Sequence, residues 1–169
     1  MSFNHNFRVG IITSSDKGAA GEREDLSGDA IRELVGNWGY EVASYCLLPD
    51  EQELLELEMK RLADEDLCDL ILTTGGTGFS LRDVTPEATL AVSERIVPGI
   101  PEAIRAYSLS LTKRAMLSRG TAGIRKQALI VNLPGSPKAV KEILEYIVSE
   151  LEHGLMILKG RTGECARKE

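Results

Sequence analysis

A strand that runs into glycines and then into a helix constrains this chain more than any other feature of its sequence. The apolar residues 70–72 predict a buried central strand, which continues as Thr73-Thr-Gly-Gly-Thr-Gly78. The three glycines let the backbone turn sharply and approach a ligand closely. Thr85 is predicted to cap the next helix, with Pro86 in its first turn. The segment therefore predicts an α/β fold with a ligand-binding loop after a strand.

The glycines alone leave two interpretations open, a plain structural turn and a phosphate site. The loop is not a P-loop, because no Gly-Lys-Ser/Thr follows, and it lacks the third glycine of the dinucleotide fingerprint. Arg82 and Asp83 place a cation and a carboxylate between the glycines and the helix, which favours a phosphorylated ligand. Because Thr85 is the natural cap, Asp83 has no evident structural task.

Composition indicates one compact domain and excludes several classes of protein. The chain has 169 residues, of which 43% are hydrophobic and 27% charged. It contains neither a membrane-length apolar run nor a signal-peptide core, so a cytoplasmic location is expected. The net charge of −6 argues against nucleic-acid binding. Three widely separated cysteines predict reduced thiols, and two histidines disfavour a histidine zinc site or a Ser-His-Asp triad.

Alternating strand-like and helix-like segments predict a single-domain α/β fold, a three-layer sandwich with a mostly parallel, Rossmann-like sheet. Strands are predicted at 7–13, 41–48, 69–74 and 127–132, with an extended piece at 115–118. Helices are predicted at 27–37, 51–64, 86–95, 101–111 and 137–158. The domain is expected to span 7–159, between a flexible N-terminal segment at 1–6 and a polar tail at 160–169.

Polar residues follow four of the predicted strands, and ligands bind beyond the carboxyl ends of parallel strands. The residues at these four strand ends are Asp16, Asp50, the loop from Gly75 to Asp83 (the glycine loop) and Pro134-Gly-Ser136. Alternatives remain open for each, because Asp50 could cap the following helix and Asp16 could fix the turn after the first strand. Ser136 is a predicted N-cap, a position that also suits phosphate because the helix N–H groups there are free.

The string from Thr73 to Ala88 resembles, almost letter for letter, the signature of the MogA family of molybdopterin adenylyltransferases, which includes the amino-terminal domain of gephyrin. The resemblance extends from about residue 7 to about residue 159. Its further motifs are Thr13-Ser-Ser-Asp16, Leu26-Ser-Gly28, Leu48-Pro-Asp-Glu51 and Asn132-Leu-Pro-Gly-Ser136. Residues 116–119 and 123–132 look more like MogA than like the related MoaB branch.

This resemblance implies an enzyme of molybdenum cofactor biosynthesis that transfers AMP from Mg-ATP to the terminal phosphate of molybdopterin and releases pyrophosphate. It implies that Asp50 and Asp83 are catalytic carboxylates associated with Mg²⁺. It further implies a homotrimer that hands its product to a separate molybdate-inserting protein. Implied contacts to substrate or nucleotide are Asp16, Ser27, Gly28, Gly75, Gly76, Thr77, Gly78, Ser80, Arg82, Asn132, Pro134, Gly135 and Ser136.

A non-catalytic molybdopterin-binding or scaffold protein of the MoaB type is the alternative function. The intact Arg82-Asp83 pair and Asp50 favour the enzyme. A phosphate monoester is already a nucleophile, so the reaction fits a site without histidine. Anionic substrates require local cations in a chain of net negative charge, and the basic residues expected near the motifs are Arg82, Arg119, Arg125, Lys126, Lys138 and Lys141.

Overall fold

One six-stranded sheet organises the chain, and the computed structural model describes residues 6–161 of it. The strand order is β2-β1-β3-β6-β5-β4. The predictions for the first residues and for most of the polar tail concern residues outside this range. The strands are β1 (Arg8–Ser14), β2 (Glu41–Leu48), β3 (Leu70–Thr74), β4 (Arg95–Ile96), β5 (Ala122–Arg125) and β6 (Ala128–Leu133).

The four strands nearest the glycine loop are parallel, as predicted. β1 pairs with β2 on one side and with β3 on the other, and β3 pairs with β6. β3 and β6 are buried along their whole length, which explains the apolar runs at 70–72 and 128–131. The chain leaves β1 first towards β2 and later returns towards β3. The crevice between β1 and β3 is therefore the topological switch point, where ligands of such sheets bind.

Helices cover both faces of the sheet, which confirms the three-layer architecture. One core cluster unites β1 and β3 with α2, α5 and α6, and a second packs α3 and α4 against the other face. The helices are α1 (Asp16–Ala19), α2 (Leu26–Asn37), α3 (Gln52–Asp64), α4 (Thr85–Val92), α5 (Gly99–Leu111) and α6 (Pro137–Leu158), with a 3₁₀ helix at Lys113–Leu117.

Several short segments differ from the sequence-based prediction, among them the four-residue α1, which was not predicted. The helix predicted at 86–95 ends at Val92, because Ser93 is extended and β4 pairs antiparallel with β5. The piece predicted as extended at 115–118 lies mostly in the 3₁₀ helix, whose first turn is capped by Thr112. Both β4 and β5 were absent from the prediction.

In the described residues, no helix is long and apolar enough to cross a membrane.

A buried ion cluster holds the edge of the sheet opposite the glycine loop. Asp69, only 4% exposed, accepts hydrogen bonds from the Arg8 backbone N–H at 2.8 Å and from its guanidinium at 3.0 Å. The Lys159 ammonium, at the end of α6, lies 2.6 Å from Asp69 Oδ1. Burial alone would raise the pKa of Asp69, but hydrogen bonds from Arg8 and Lys159 lower it to about 2. The cluster therefore ties α6 to the starts of β1 and β3.

Asp69→Asn is expected to lower the free energy of unfolding by about 2 kcal/mol at neutral pH. The pKa of Asp69 in the folded protein lies below the unfolded value of about 4, so its stabilisation is present at neutral pH. That stabilisation is lost as the pH falls from about 4 towards about 2. Urea unfolding at pH 7 and pH 3 should show a difference between parent and variant that narrows at the lower pH.

Asp66→Asn is the matched control for this cluster. Asp66 contacts the same two cations but is 73% exposed, so its replacement should change stability by less than about 1 kcal/mol. Equal losses from the Asp66 and Asp69 variants would contradict the assignment of the stabilisation to the buried carboxylate.

Candidate active site

The carboxyl ends of β1, β2, β3 and β6 bring the predicted motifs to one edge of the sheet. Ser14 ends β1, Asp50 follows β2, the glycine loop follows β3, and Pro134 follows β6. The Thr74 hydroxyl donates to the Pro134 carbonyl at 2.7 Å, so the loops after β3 and β6 are held side by side.

The glycine loop approaches β1 too closely for side chains at two of its positions. Gly75 has φ of +88°, and a β-carbon there would lie 2.4 Å from the Ser14 carbonyl oxygen. Gly76 has φ of +66°, and its β-carbon would lie 2.4 Å from Thr85 Oγ1. Both conformations favour glycine. The loop therefore places bare main chain, with its N–H groups, at the β1–β3 crevice.

Asp50 is fixed at this crevice by the end of β1. The Ser14 hydroxyl donates to Asp50 Oδ1 at 2.6 Å, and the Asp16 backbone N–H donates to Oδ2 at 2.9 Å. The alternative that Asp50 caps α3 is wrong, because that helix begins at Gln52 with Glu51 as its N-cap. Ser14, which the sequence analysis did not single out, is thus a direct partner of the predicted catalytic carboxylate.

Arg82 lies in the far limb of the glycine loop, the part between the glycines and α4. It ties this limb to the ends of β1 and β2. Its guanidinium donates twice to Asp16 at 2.9 Å and once to Glu51 at 2.7 Å. Asp16 in turn accepts from the Asp50 backbone N–H at 3.0 Å. The Arg82 hydrogen bond, followed by that from Asp50, lowers the pKa of Asp16. Asp16 therefore does more than fix its own turn, because it links three segments of the site.

Asp83 has a structural task that the sequence did not indicate. Its Oδ2 accepts the Ser80 backbone N–H at 2.9 Å, and its own N–H donates to the Ser80 carbonyl at 2.9 Å. A β-carbon on Gly78 would lie 2.9 Å from this Oδ2. Asp83 therefore lies beside Gly78, and Asp50 lies beside Gly76, where a β-carbon would be 3.4 Å from its Oδ1. The two carboxylates flank one short stretch of main chain.

Thr85 does not cap α4, which corrects the sequence-based prediction. The helix begins at Thr85 itself, with Val84 as an N-cap that makes no side-chain bond. The Thr85 N–H instead donates to the Gly76 carbonyl at 3.1 Å. Its hydroxyl is fully buried and has no hydrogen-bond partner in the described structure. An unpartnered polar atom thus lies next to Gly76.

The start of α2 forms a polar wall of the site around Asp25, a residue that the sequence analysis missed. Asp25 caps the helix by accepting the Gly28 N–H at 2.9 Å, and it also accepts from Thr13 at 2.6 Å and from Tyr45 at 2.5 Å. Burial would raise the pKa of Asp25, but these hydrogen bonds lower it. Ser27 is buried and donates to Asp25, and any β-carbon at Gly28 would overlap that carboxylate.

The end of β6 and the segment after it combine one inward-facing residue, Asn132, with an exposed helix start. The Asn132 side chain is buried, donates to Thr73 and Thr89, and accepts the Thr121 N–H at 3.1 Å. The Asn132 side chain therefore links β6 to β3 and α4 on the interior side of the loops. Gly135 and Ser136 are exposed, and Ser136 is the N-cap of α6, as predicted, with its hydroxyl accepting the Ala139 N–H.

Two clefts lie on either side of these loops. The first has a volume of about 410 Å³ and is lined by Ser14, Asp25, Gly75 and Gly135, among others. The second has a volume of about 490 Å³, and residues Thr77, Gly78, Ser118 and Ser136 contribute to its wall. The site thus has space for two ligands separated by the glycine loop and the segment 134–136.

Several cations expected near the motifs have other positions or partners. Arg125 and Lys126 lie at the turn between β5 and β6, at the opposite edge of the sheet, where they pair with Asp64 and Glu94. Lys141 contacts Glu33, and Lys138 lies 3.8 Å from Glu142. The prediction that all these residues lie near the motif loops is wrong for the pair at the β5–β6 turn. Arg82 and Arg119 bond to the glycine loop and its flanks, while Arg23 lines the first cleft and Arg105 and Arg114 line the second.

The two buried or half-buried cysteines in the described residues are free thiols. Burial raises the pKa of Cys46 to about 12 and that of Cys68 to about 11. Within residues 6–161, no group of three or more His, Cys, Asp or Glu side chains is arranged to hold a metal ion by itself. A metal at this site would thus need oxygen atoms from a ligand in addition to the carboxylates.

The sequence of this domain matches a known family over most of its length. Residues 10–153 match the family described as "Probable molybdopterin binding domain". The chain belongs to this family. Within it, the molybdopterin adenylyltransferase of Helicobacter pylori strain J99 is 41% identical over 154 residues, 90% of this chain and 88% of that protein. The molybdopterin adenylyltransferase of Escherichia coli K12 is 45% identical over 144 residues, 83% of this chain and 73% of that protein.

Solved structures of this molybdopterin-binding family share the fold. The crystal structure of the molybdopterin biosynthesis enzyme MoaB from Thermus thermophilus aligns with a TM-score of 0.86 at 49% identity, covering 91% of this chain and 97% of that one. A MogA structure aligns at 0.82 with 34% identity, covering 89% and 99%. The MoaB structure shares the higher identity of these two over the whole chain, and the greater likeness of residues 116–119 and 123–132 to MogA stays a prediction. The fold itself is common to both branches.

Proposed function

We propose that this protein is a molybdopterin adenylyltransferase, which transfers AMP from ATP to the terminal phosphate of molybdopterin. The observation that carries the proposal is the placement of Asp50 and Asp83 along the glycine loop at the β1–β3 crevice. Relatives of 41–45% identity are named for this activity. The two clefts that meet at this loop offer separate space for a nucleotide and a pterin.

The chemistry requires positioning more than proton transfer. A phosphate oxygen of molybdopterin forms a bond to the α-phosphorus of ATP, the bond to the β-phosphate oxygen breaks, and pyrophosphate leaves with the electron pair. The attacking phosphate is already anionic, so no general base is needed. The backbone N–H groups of the glycine loop and of the α6 start, capped by Ser136, would orient the phosphates. Residues in the walls of the clefts would contact the ligands, namely Ser27 and Gly75 in the first and Thr77, Gly78 and Pro134 in the second.

The residues at the loop also suit Mg²⁺, the metal of the proposed reaction. The three atoms nearest to a β-carbon on Gly76 would be side-chain oxygens, namely the unpartnered Thr85 Oγ1, Ser14 Oγ and Asp50 Oδ1. Mg²⁺ prefers oxygen ligands and binds through one or two carboxylates together with phosphates and water. Asp50 and Asp83 would hold it, and when bound it would neutralise phosphate charge and stabilise in-line displacement.

Direct detection of the product tests the proposal. Purified protein incubated with molybdopterin and Mg-ATP should yield adenylylated molybdopterin by mass spectrometry and an equal amount of pyrophosphate. Binding of molybdopterin without formation of either product would instead support the alternative, a binding or scaffold protein. We further propose that the product passes to a separate molybdate-inserting protein.

Ser136→Asp is expected to weaken binding of a phosphorylated ligand at least tenfold. The α6 start offers free N–H groups and the positive end of a helix dipole, and Ser136 lies in the wall of the second cleft. Aspartate is also a good N-cap, so the helix should remain stable while the added charge repels phosphate. Isothermal titration calorimetry with ATP and with molybdopterin measures the affinity. Asn37→Asp, which adds the same charge at the exposed end of α2 away from Asp25, is the control and should bind both ligands normally.

A trimeric assembly is the remaining proposal and follows from the family resemblance. Exposed apolar side chains on the β4, α5 and α6 side of the domain, including Ile96, Leu111 and Tyr146, are compatible with an interface. Sedimentation equilibrium at micromolar concentration should give about three times the chain mass of 18.4 kDa. A single species of one chain mass would refute the assembly and leave the active-site proposal untouched.

A further inference from the structure

Arg119 holds the glycine loop from the side opposite Arg82. Its backbone N–H donates to the Thr77 carbonyl at 2.9 Å, and its Nε donates to the Gly78 carbonyl at 2.7 Å. Its Nη2 donates to the Asp83 carbonyl at 2.7 Å, and its Nη1 pairs with the Glu87 carboxylate. One residue thus contacts the near limb of the loop at Thr77 and Gly78, its far limb at Asp83, and the first turn of α4 at Glu87.

The contacts of Arg119 require the shape of a guanidinium group. Its N–H groups point in fixed directions within one plane, so they can reach carbonyls on both limbs of the loop together. A lysine ammonium at this position could retain the pairing with Glu87, but it cannot reproduce the fork. The contacts of Arg82, by contrast, go to exposed carboxylates and leave the carbonyls of the loop untouched.

Arg119 also connects the second cleft to the predicted catalytic carboxylate. Its neighbour Ser118 lines that cleft together with Thr77 and Gly78, whose carbonyls Arg119 binds. The third bonded carbonyl belongs to Asp83. The wall of the cleft and the backbone that carries Asp83 are therefore joined through a single side chain.

We propose that Arg119 is a positioning residue for adenylyl transfer, which sets the place of Asp83 by fixing both limbs of the glycine loop. It acts through the loop and touches neither substrate. The proposal rests on the proposed function for its kinetic consequence, whereas its structural consequence can be measured without turnover. A misplacement of about 1 Å in a reacting group can cost about a hundredfold in rate.

Kinetics of Arg119→Ala and Arg119→Lys test the proposal. Both variants should lose about tenfold to a hundredfold in kcat, with KM for ATP and molybdopterin changed less than threefold. Free guanidinium ion at millimolar concentration should restore part of the kcat of Arg119→Ala and none of that of Asp83→Asn. A parent-like kcat in Arg119→Ala, or full activity in Arg119→Lys, would overturn the proposal.

Amide hydrogen exchange gives a readout that does not depend on activity. The Ser80 and Asp83 N–H groups are bonded within the loop, so their exchange measured by NMR should speed up at least tenfold in Arg119→Ala. Unchanged exchange at both amides would overturn the proposal even if the parent protein proved to have no transferase activity. A parent without transferase activity but with faster exchange in the variant would refute only the proposed function.

Arg125→Ala is the matched control for both measurements. Arg125 makes the same kinds of contact, two bonds to the Asp64 carboxylate and one to the Val92 carbonyl, but it lies at the opposite edge of the sheet. This variant should keep the parent kcat and the parent exchange rates in the loop. An equal loss of kcat in the Arg119 and Arg125 variants would show that the effect is general destabilisation, and would overturn the positioning role.

Discussion

Asp83→Asn is expected to slow adenylyl transfer by a hundredfold or more while the protein still folds and binds molybdopterin. The asparagine oxygen can still accept the Ser80 N–H, so the turn that Asp83 supports is retained. The negative charge beside Gly78 is lost. Stabilisation of developing charge through a metal is worth several kcal/mol, and each ~1.4 kcal/mol corresponds to a factor of ten in rate. Single-turnover assays of product formation, with calorimetry for binding, measure the two effects separately.

Asp83→Ala separates the structural task of this residue from its charge. Alanine removes both the charge and the acceptor for Ser80, so this variant should melt below the asparagine variant while showing a similar loss of rate. Asp29→Asn, on the exposed face of α2, should behave like the parent in both assays. A parent-like transfer rate in Asp83→Asn would show that the carboxylate is not catalytic.

Gly76→Ala is expected to lower the melting temperature by about 10 °C and to abolish transfer. Alanine at φ of +66° is strained by roughly 1–2 kcal/mol. Its methyl group would also lie 2.4 Å from the buried Thr85 hydroxyl, and overpacking of this kind costs typically about 1–3 kcal/mol. Each kcal/mol shifts the melting temperature of a domain of this size by about 2–4 °C. Calorimetric melting and the product assay provide the measurements.

Gly36→Ala is the control and is expected to have the opposite sign. Gly36 lies within α2, is exposed, and has open space where a β-carbon would be. Alanine there should stabilise the protein by up to about 1 kcal/mol, because it favours the helix over the unfolded chain. Stabilisation by alanine at Gly76 as well would mean that the loop is not conformationally constrained in solution.

The sequence predicted the four parallel strands well because each is long enough for its apolar residues to be recognised, and β3 and β6 are buried throughout. The strand at 41–48 agrees with β2 at both ends, that at 69–74 begins one residue before β3, and that at 127–132 is shifted by one residue from β6 at both ends. β4 has two residues and β5 has four, which is too short for a period-two pattern to be recognised. The turn between β5 and β6 also lacks an Asn-Gly or Asp-Gly signal, since Lys126 supplies the positive φ there.

Local rules were less reliable at the site, where distant partners decide what a side chain does. The sequence singled out Asp50, but its partner Ser14 lies 36 positions away, and the partner of Arg82, Asp16, lies 66 positions away. The capping rule failed at Thr85 because the loop carbonyl of Gly76 satisfies its N–H and the hydroxyl turns inward. Such pairings depend on tertiary contacts, which no local pattern records.

The main chain that forms the partition between the two clefts separates specificity from reactivity. Gly75 and Gly135 line the first cleft, while the adjoining Gly78 and Ser136 line the second. A β-carbon on Gly135 would lie only 3.5 Å from the Gly75 α-carbon, so the two main chains that form the partition pack directly against each other. In the proposed reaction, the spacing of the two reacting phosphates is then set by main chain. Side chains deeper in either cleft can consequently diverge to accept another base or another pterin while the distance over which the phosphates meet is preserved.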